Sequence, residues 1–340
     1  MIGPSRSLLK YLLSGALAIL LLYITFRGTE PARLIEAMRS ADYWWILVMF
    51  ACLMASHGVR AWRWRYLLNP IKPRIGMRNL FSAVVIGYLV NNFLPRAGEL
   101  ARPYALGKAE SISKSAALGT IVVERILDTL SFLLLVVLIP AVYSGPLVES
   151  FPWLQRSGII LSIGAVAAIF VLSLLMLRRD WADGVLSFAA RVFPLRFRER
   201  VQKVGHAFLD GFLFVKDPRS FFAIAALSVV VWGLYILMTY VAFVAFGFEE
   251  QLGLGAALVV LAISSIGVAV PTPGATGSYH MFATQALTLL FGLPSEVALS
   301  YATVTHAAGF IGGTLVGLYF LFKDHIRVSE VVTAEHEEVR

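Results

Sequence analysis

Leu89-Val90-Asn91-Asn92-Phe93-Leu94-Pro95-Arg96-Ala97-Gly98-Glu99-Leu100-Ala101-Arg102-Pro103 and Gly267-Val268-Ala269-Val270-Pro271-Thr272-Pro273-Gly274-Ala275-Thr276-Gly277-Ser278-Tyr279-His280 are the stretches on which the fold turns. Each sets Pro, Gly and polar residues in the middle of an apolar run, and the two occupy matching positions in the two halves of the chain. Backbone that leaves helical geometry at membrane depth must lie in protein or line a wet cavity, because lipid offers it no hydrogen bonds. Paired interruptions of this kind point to the substrate site of a transporter.

The rest of the chain supplies the membrane setting. Its 340 residues are 58% hydrophobic and 15% charged, with a mean hydropathy of +0.76, the profile of an all-α polytopic membrane bundle rather than a soluble globule. Apolar segments cover 8–26, 43–62, 80–94, 115–143, 158–177, 221–246, 254–270, 279–291 and 297–322. Several reach the roughly 20 helical residues needed to cross a hydrocarbon core. Segment 8–26 follows Arg6 and Lys10 without a small-x-small cleavage signal, so a retained signal-anchor helix is expected. The single cysteine, Cys52, excludes an intrachain disulfide and a multi-cysteine metal site.

The net charge of +8 is concentrated in two places, the stretch from Arg60 to Arg78 and the stretch from Arg178 to Arg219, while the connections after Tyr143, Phe246 and Phe291 carry almost no Lys or Arg. That asymmetry predicts a cytoplasmic (inner) cell membrane protein with both termini in the cytoplasm, and it argues against a nucleic-acid partner. Arg27, Arg33 and Arg39 would then lie outside, against the rule. Tyr43, Trp44 and Trp45 at one end of the second span, and Trp62, Trp64 and Tyr66 at the other, fit interfacial belts.

These constraints divide one membrane domain into parts. Residues 1–42 form the anchor helix and an outer loop, and 43–143 a first repeat with a hairpin at 79–108. Residues 144–220 form a connecting span and cytoplasmic interfacial helices. A second repeat at 221–322 contains a hairpin at 254–291, and 323–340 is a cytoplasmic tail. The second repeat has the order of the first with opposite orientation, an inverted repeat. Whether the hairpins are re-entrant or fully crossing is open at this point.

A helix restarting near Gly98 directs free N–H groups and a positive dipole end into the membrane. The glycines of Pro273-Gly274-Ala275-Thr276-Gly277 do the same from the other side. With Arg96 and Arg102 nearby, two such ends suit an anionic head group such as a phosphate. The competing reading is a pair of kinks whose arginines snorkel to the surface. Glu124, Arg125 and Asp128 sit halfway along their span, where each isolated charge costs about 2.5–3.5 kcal/mol. Either they lock the bundle as an intrahelical ion-pair cluster, or they gate or couple transport together with His306. His57, Arg60, Arg63 and Arg65 are expected to anchor in the anionic leaflet, with phospholipid recruitment as the alternative. The six histidines form no metal-binding spacing, and no nucleophile motif or P-loop is present, so neither a cofactor nor an enzymatic activity is expected.

Asn91-Asn92-Phe93-Leu94-Pro95-x-x-Gly98-Glu99-Leu100-x-Arg102, then Glu124-Arg125-x-x-Asp128, then Pro271-x-Pro273-Gly274-x-x-Gly277, resembles the transmembrane region of lysylphosphatidylglycerol synthases, which also occurs alone in flippase-like membrane proteins. The resemblance spans nearly the whole chain and implies a flippase for a phospholipid or lipid-linked intermediate. Asn91, Asn92, Pro95, Arg96, Gly98, Glu99, Arg102, Pro271, Pro273, Gly274, Gly277 and His280 would bind substrate. Two positions depart from the family pattern: Ala275 replaces a glycine and His280 a glutamate. Nothing matches the cytosolic acyltransferase-like domain, so lipid synthesis is not expected. The expected partners are membrane lipids, anionic or polyprenyl-linked, with a homo-oligomer or a lipid-modifying enzyme left open. A non-transporting accessory subunit scaffolding such an enzyme is the alternative function.

Overall fold

A computed structural model describes residues 4–151 and 217–326, with scattered positions between 152 and 216. The expected connecting span and interfacial helices of 144–220 fall largely outside the described residues. Among those residues the chain is all-helical. The helices are α1 (Pro4–Phe26), α2 (Pro31–Arg39), α3 (Tyr43–Leu68), α4 (Met77–Phe93), α5 (Gly98–Glu110), α6 (Lys114–Val142), α7 (Leu147–Ser150), α8 (Pro218–Ala245), α9 (Leu254–Ala269), α10 (Ser278–Gln285) and α11 (Ser295–Lys323). A 3-10 turn, Pro273–Ala275, precedes α10, and a π turn, Ala286–Leu290, extends it.

Local chemistry sets the boundaries. Asp42 caps α3 by accepting from Trp44 N, Ser113 caps α6 by accepting from Ala116 N, and Asp217 caps α8 through Arg219 N and Ser220 N with Pro218 in the first turn. Helices α3, α8 and α11 are long and apolar enough to cross a membrane. Helices α1 and α2 meet at 93°, so part of the expected outer loop is helical and packs against α11. Large apolar side chains such as Leu47, Leu134, Val137, Phe222, Val229, Leu315 and Phe322 face outward, as an exterior solvated by lipid requires.

The two halves contain helix series of similar length. The series α3, α4, α5, α6 has 26, 17, 13 and 29 residues. The series α8, α9, α10 with its π turn, α11 has 28, 16, 8 plus 5, and 29. Packing partners match as well: α4 lies on α5 and on the long α11, while α9 lies on α10 and on the long α6. Helices α3 and α8 run along each other between the halves.

Residue-level correspondence appears where each hairpin closes. A Cβ added at Gly87 would meet Arg102 Cγ at 2.3 Å and Gly98 O at 3.1 Å. One added at Gly267 would meet Ser278 O at 2.7 Å and the Phe282 side chain at 3.1 Å. The spacings are the same, and in both hairpins glycine lets the two arms touch backbone to backbone. Lipid supplies no hydrophobic drive between helices, so such close packing is the main source of their association. The second hairpin keeps the glycine and carries Phe282 where the first carries Arg102.

The interior separates into two main apolar groups. One surrounds the first hairpin with Trp64, Leu67, Leu80, Ile86 and Leu106. The other surrounds the second with Phe243, Val260, Ile263, Leu287 and Tyr301.

Candidate functional site

Charged side chains from three helices converge in the first half. Arg60 and Arg63 come from α3, Arg102 from α5, and Glu124, Arg125 and Asp128 from α6. Glu124 and Arg63 are fully buried, and Arg60 and Arg102 are each 4% exposed. One terminal nitrogen of Arg60 donates to Glu124 Oε1 at 2.6 Å and Asp128 Oδ2 at 2.7 Å, and the other donates to the Tyr235 hydroxyl at 3.0 Å. Arg63 donates to Asp128 Oδ1 at 2.6 Å and to Ser228 Oγ at 3.0 Å. Arg102 grips both oxygens of Glu124 at 3.1 and 3.0 Å, with its guanidinium 4.4 Å from the Trp64 ring centre. Trp64 is itself pinned by Nε1–H donating to Thr120 Oγ1 at 2.8 Å. Arg125 reaches Glu124 Oε1 at 3.3 Å and Asp128 Oδ2 at 3.5 Å from a side chain that is 42% exposed.

This geometry keeps the expected intrahelical pairs of Arg125 and enlarges the cluster beyond α6. The carboxylates of α6 are answered mainly by arginines brought from α3 and α5. It also corrects the interfacial reading of His57, Arg60, Arg63 and Trp64, all of which are buried. Arg60, Arg63, Trp64 and Leu67 recur at helical spacing on the face of α3 that meets the core, while Trp62 on another face is 48% exposed. That spacing was the signal available in the sequence. Tyr235 and Ser228 carried none, because nothing local ties α8 to α3. The ring of His57 stacks on Tyr88, with centres 4.2 Å apart.

The two hairpin tips meet each other. Asn92 donates through Nδ2 to Phe310 O at 3.3 Å and Thr314 Oγ1 at 3.0 Å on α11. Arg96, exposed and left-handed at φ +65°, donates to Ala269 O at 3.4 Å, at the end of α9. A Cβ on Gly274 would touch the Phe310 ring at 2.7 Å and Asn92 O at 3.3 Å. Asn91 Oδ1 accepts from Gly98 N at 2.8 Å, so the start of α5 is partly capped. The structure therefore separates Arg96 from Arg102: the first lies at the tips, and the second is committed to Glu124.

A histidine of the second hairpin, His280, faces His306 of α11. Rings of His280 and His306 are centred 4.6 Å apart. The Gly274 carbonyl lies 2.8 Å from His306 Nε2, which therefore carries the proton as donor, and His280 Nδ1 accepts from Gly277 N at 3.4 Å. Thr272 and Ser278 hydroxyls pair at 2.9 Å within the loop that contains Pro271 and Pro273. Glu99 is partly buried in the first turn of α5. Among the described residues no group of three or more His, Cys, Asp or Glu is placed to hold a metal ion.

The profile of the lysylphosphatidylglycerol synthase TM region matches residues 8–317 of this chain. Similar proteins include a UPF0104 membrane protein of Methanothermobacter thermautotrophicus, 28% identical over 276 residues that cover 77% of this chain and 79% of that protein. The UPF0104 membrane protein PH1989 of Pyrococcus horikoshii is 27% identical, covering 93% of this chain and 97% of its own. The UPF0104 membrane protein MJ1595 of Methanocaldococcus jannaschii is 22% identical, covering 84% and 86%. No solved structure matches the chain.

Proposed function

The chain belongs to the lysylphosphatidylglycerol synthase TM-region family of integral membrane proteins, and from that premise we propose that it transports a membrane lipid or lipid-linked intermediate, without catalysing a reaction on it. An anionic head group is held near the bilayer midplane in the region framed by the two broken hairpins. The single observation that carries this reading is the meeting of the tips, where Asn92 and Arg96 of one touch Gly274 and Ala269 of the other. Broken helices that face one another near the middle of a bundle provide an irregular, polar backbone surface that lipid alone does not tolerate.

The matched helix lengths and packing partners support alternating access by two repeats, which we place in opposite orientations with the termini in the cytoplasm. Glu124, Arg125, Asp128 and His306 act as the gating or coupling groups: Glu124 and Asp128 tie α6 to arginines of α3 and α5, His306 ties α11 to the second hairpin at Gly274, and Arg125 borders both carboxylates from the exposed edge. The protein resides in the cell membrane.

Reconstituted vesicles test the reading. In a Cys52→Ala background, Arg96→Cys and Ala269→Cys joined by a short bis-methanethiosulfonate, which forms a mixed disulfide with each thiol, should halt flipping of fluorescently tagged lipid, measured by back-extraction into albumin, and reduction should restore it. Flipping that continues in the joined protein would replace transport with the accessory-subunit reading. Orientation is checked separately: Glu250→Cys should label from outside intact cells and Arg219→Cys should not.

A further inference from the structure

The buried cluster in the first repeat is not electrically balanced. Its four arginines, cationic side chains, face two carboxylates whose four oxygens are all engaged by guanidinium groups. Two positive charges are left over, one on the partly exposed Arg125 and one among side chains that are almost entirely buried. A lock between helices needs only equal numbers, and each uncompensated charge inside a bundle raises the cost of insertion.

The hydrogen bonding shows the same surplus. The Nε atoms of Arg60, Arg63, Arg102 and Arg125, together with His57 Nδ1, are buried and have no partner among the described residues. Leaving such groups unpaired costs about 1–3 kcal/mol each. The cluster reaches the surface on one side, where the Arg125 side chain is 42% and that of Asp128 13% exposed. Trp64 beneath Arg102 and Tyr235 against Arg60 hold the guanidinium groups in place.

We propose that this cluster binds a phosphomonoester dianion, with Arg60, Arg63, Arg102 and Arg125 as its ligands. The charge count selects the class. A phosphodiester or a carboxylate brings one negative charge and leaves one positive charge unanswered. A phosphomonoester brings about −1.5 to −2 at pH 7, with three acceptor oxygens that match guanidinium forks. The second repeat has Phe282 at the place of Arg102, so among the described residues the site has no symmetric counterpart there. The inference rests on the head-group reading above and moves the head group from the tips to the arginines behind the first hairpin. The monoester has two candidate sources, the terminal phosphate of a lipid or a soluble phosphate.

Thermal unfolding of the purified full chain decides between these sources and tests the site itself. Mixed micelles would contain phosphatidic acid, phosphatidylglycerol or phosphatidylcholine with identical acyl chains, and a parallel series would contain inorganic phosphate. Ligand that binds the folded state alone raises the midpoint by linkage. Phosphatidic acid should raise it more than phosphatidylglycerol, and the gap should widen between pH 5.5 and 7.5 as the monoester takes its second charge. Phosphatidic acid exceeding inorganic phosphate at equal concentration assigns a lipid, and equal shifts assign a soluble phosphate; either supports the site. Arg125→Gln, on the open edge, should weaken phosphatidic acid about tenfold, from the loss of one charge-assisted hydrogen bond. Arg102→Lys should keep part of the gap, whereas the exposed Arg219→Gln should leave it intact. Equal shifts by both anionic lipids overturn the dianion while the head-group reading stands. No shift beyond phosphatidylcholine overturns both.

Discussion

Arg102 and Glu124 meet in a two-pronged pair, Nη1 to Oε1 at 3.1 Å and Nη2 to Oε2 at 3.0 Å, that joins the returning arm of the first hairpin to the long helix after it. The position of α5 in the membrane is thereby tied to the charge state of one fully buried carboxylate. Whatever changes the electrostatics around Glu124 acts directly on a hairpin arm. That connection links the lock and gate readings of the cluster, since the same bond can serve both.

The two carboxylates should differ in weight. Glu124→Gln leaves four arginines facing one carboxylate in a largely buried site, and removing one partner of a buried pair costs about 3–5 kcal/mol. Asp128→Asn should cost less, because Asp128 is 13% exposed and its partners Arg60 and Arg63 keep Glu124, Tyr235 and Ser228. Adding Arg102→Gln to Glu124→Gln should restore part of the loss. Thermal unfolding of the purified variants gives the order, and a double variant as unstable as the sum of the singles would deny the coupling.

Close contact between the hairpin arms makes two glycines sensitive. A Cβ at Gly98 would lie 2.0 Å from Gly87 O, and one at Gly87 2.3 Å from Arg102 Cγ. Gly98→Ala and Gly87→Ala should therefore part α4 from α5, lower the midpoint and reduce transport through displacement of Arg102. Gly58→Ala and Gly233→Ala, where nothing lies within 4 Å, should be neutral or gain up to about 1 kcal/mol from helix propensity. Equal losses at all four positions would mean that the contact is not the cause.

The hairpins were legible because an apolar run interrupted by Pro, Gly and Asn has few other structures open to it. The expected bounds 79–108 lie two residues inside Met77 and Glu110, while 254–291 starts at Leu254 and ends one residue past Leu290. Span 43–62 was drawn too short for the opposite reason. Arg60, Arg63 and Arg65 resembled the basic flank of a span, yet α3 continues to Leu68 and turns two of them inward. Local pattern shows that charges are present; whether they meet lipid head groups or carboxylates 64 residues away depends on packing between helices. The 3.6-residue recurrence of Arg60, Arg63, Trp64 and Leu67 was the one local trace of that packing. The separation of Arg96 from Arg102 had no such trace.

Backbone strain at the second tip gives a third prediction. Ala275 sits at φ +58°, a left-handed conformation that costs a residue with a Cβ about 1–2 kcal/mol. Ala275→Gly, which removes the Cβ, should raise the unfolding midpoint. Gly277→Ala should lower it, since φ is +83° there and a Cβ would come within 2.5 Å of Ala18 O on α1. If both changes moved stability in the same direction, the left-handed geometry of this loop would not be what sets it.

The last prediction concerns acid stability and lies outside the membrane spans. At the end of α5, burial works against the charged form of Glu110, but hydrogen bonds from Lys72, Asn79 and the Gly76 N–H prevail and hold its carboxyl below the ordinary carboxylate range. Lys72 Nζ lies 2.8 Å from one oxygen and Asn79 Nδ2 2.7 Å from the other. A carboxylate depressed in the folded state stabilises fully above its unfolded value of about 4.3, and that contribution is lost as pH falls through the folded value. Glu110→Gln should therefore lower the midpoint at pH 7, and the difference from wild type should shrink below about pH 4. Lys72→Met should reproduce part of the effect with the same pH dependence. A difference that stays constant from pH 7 down to pH 3.5 would assign the role of Glu110 to packing rather than to charge.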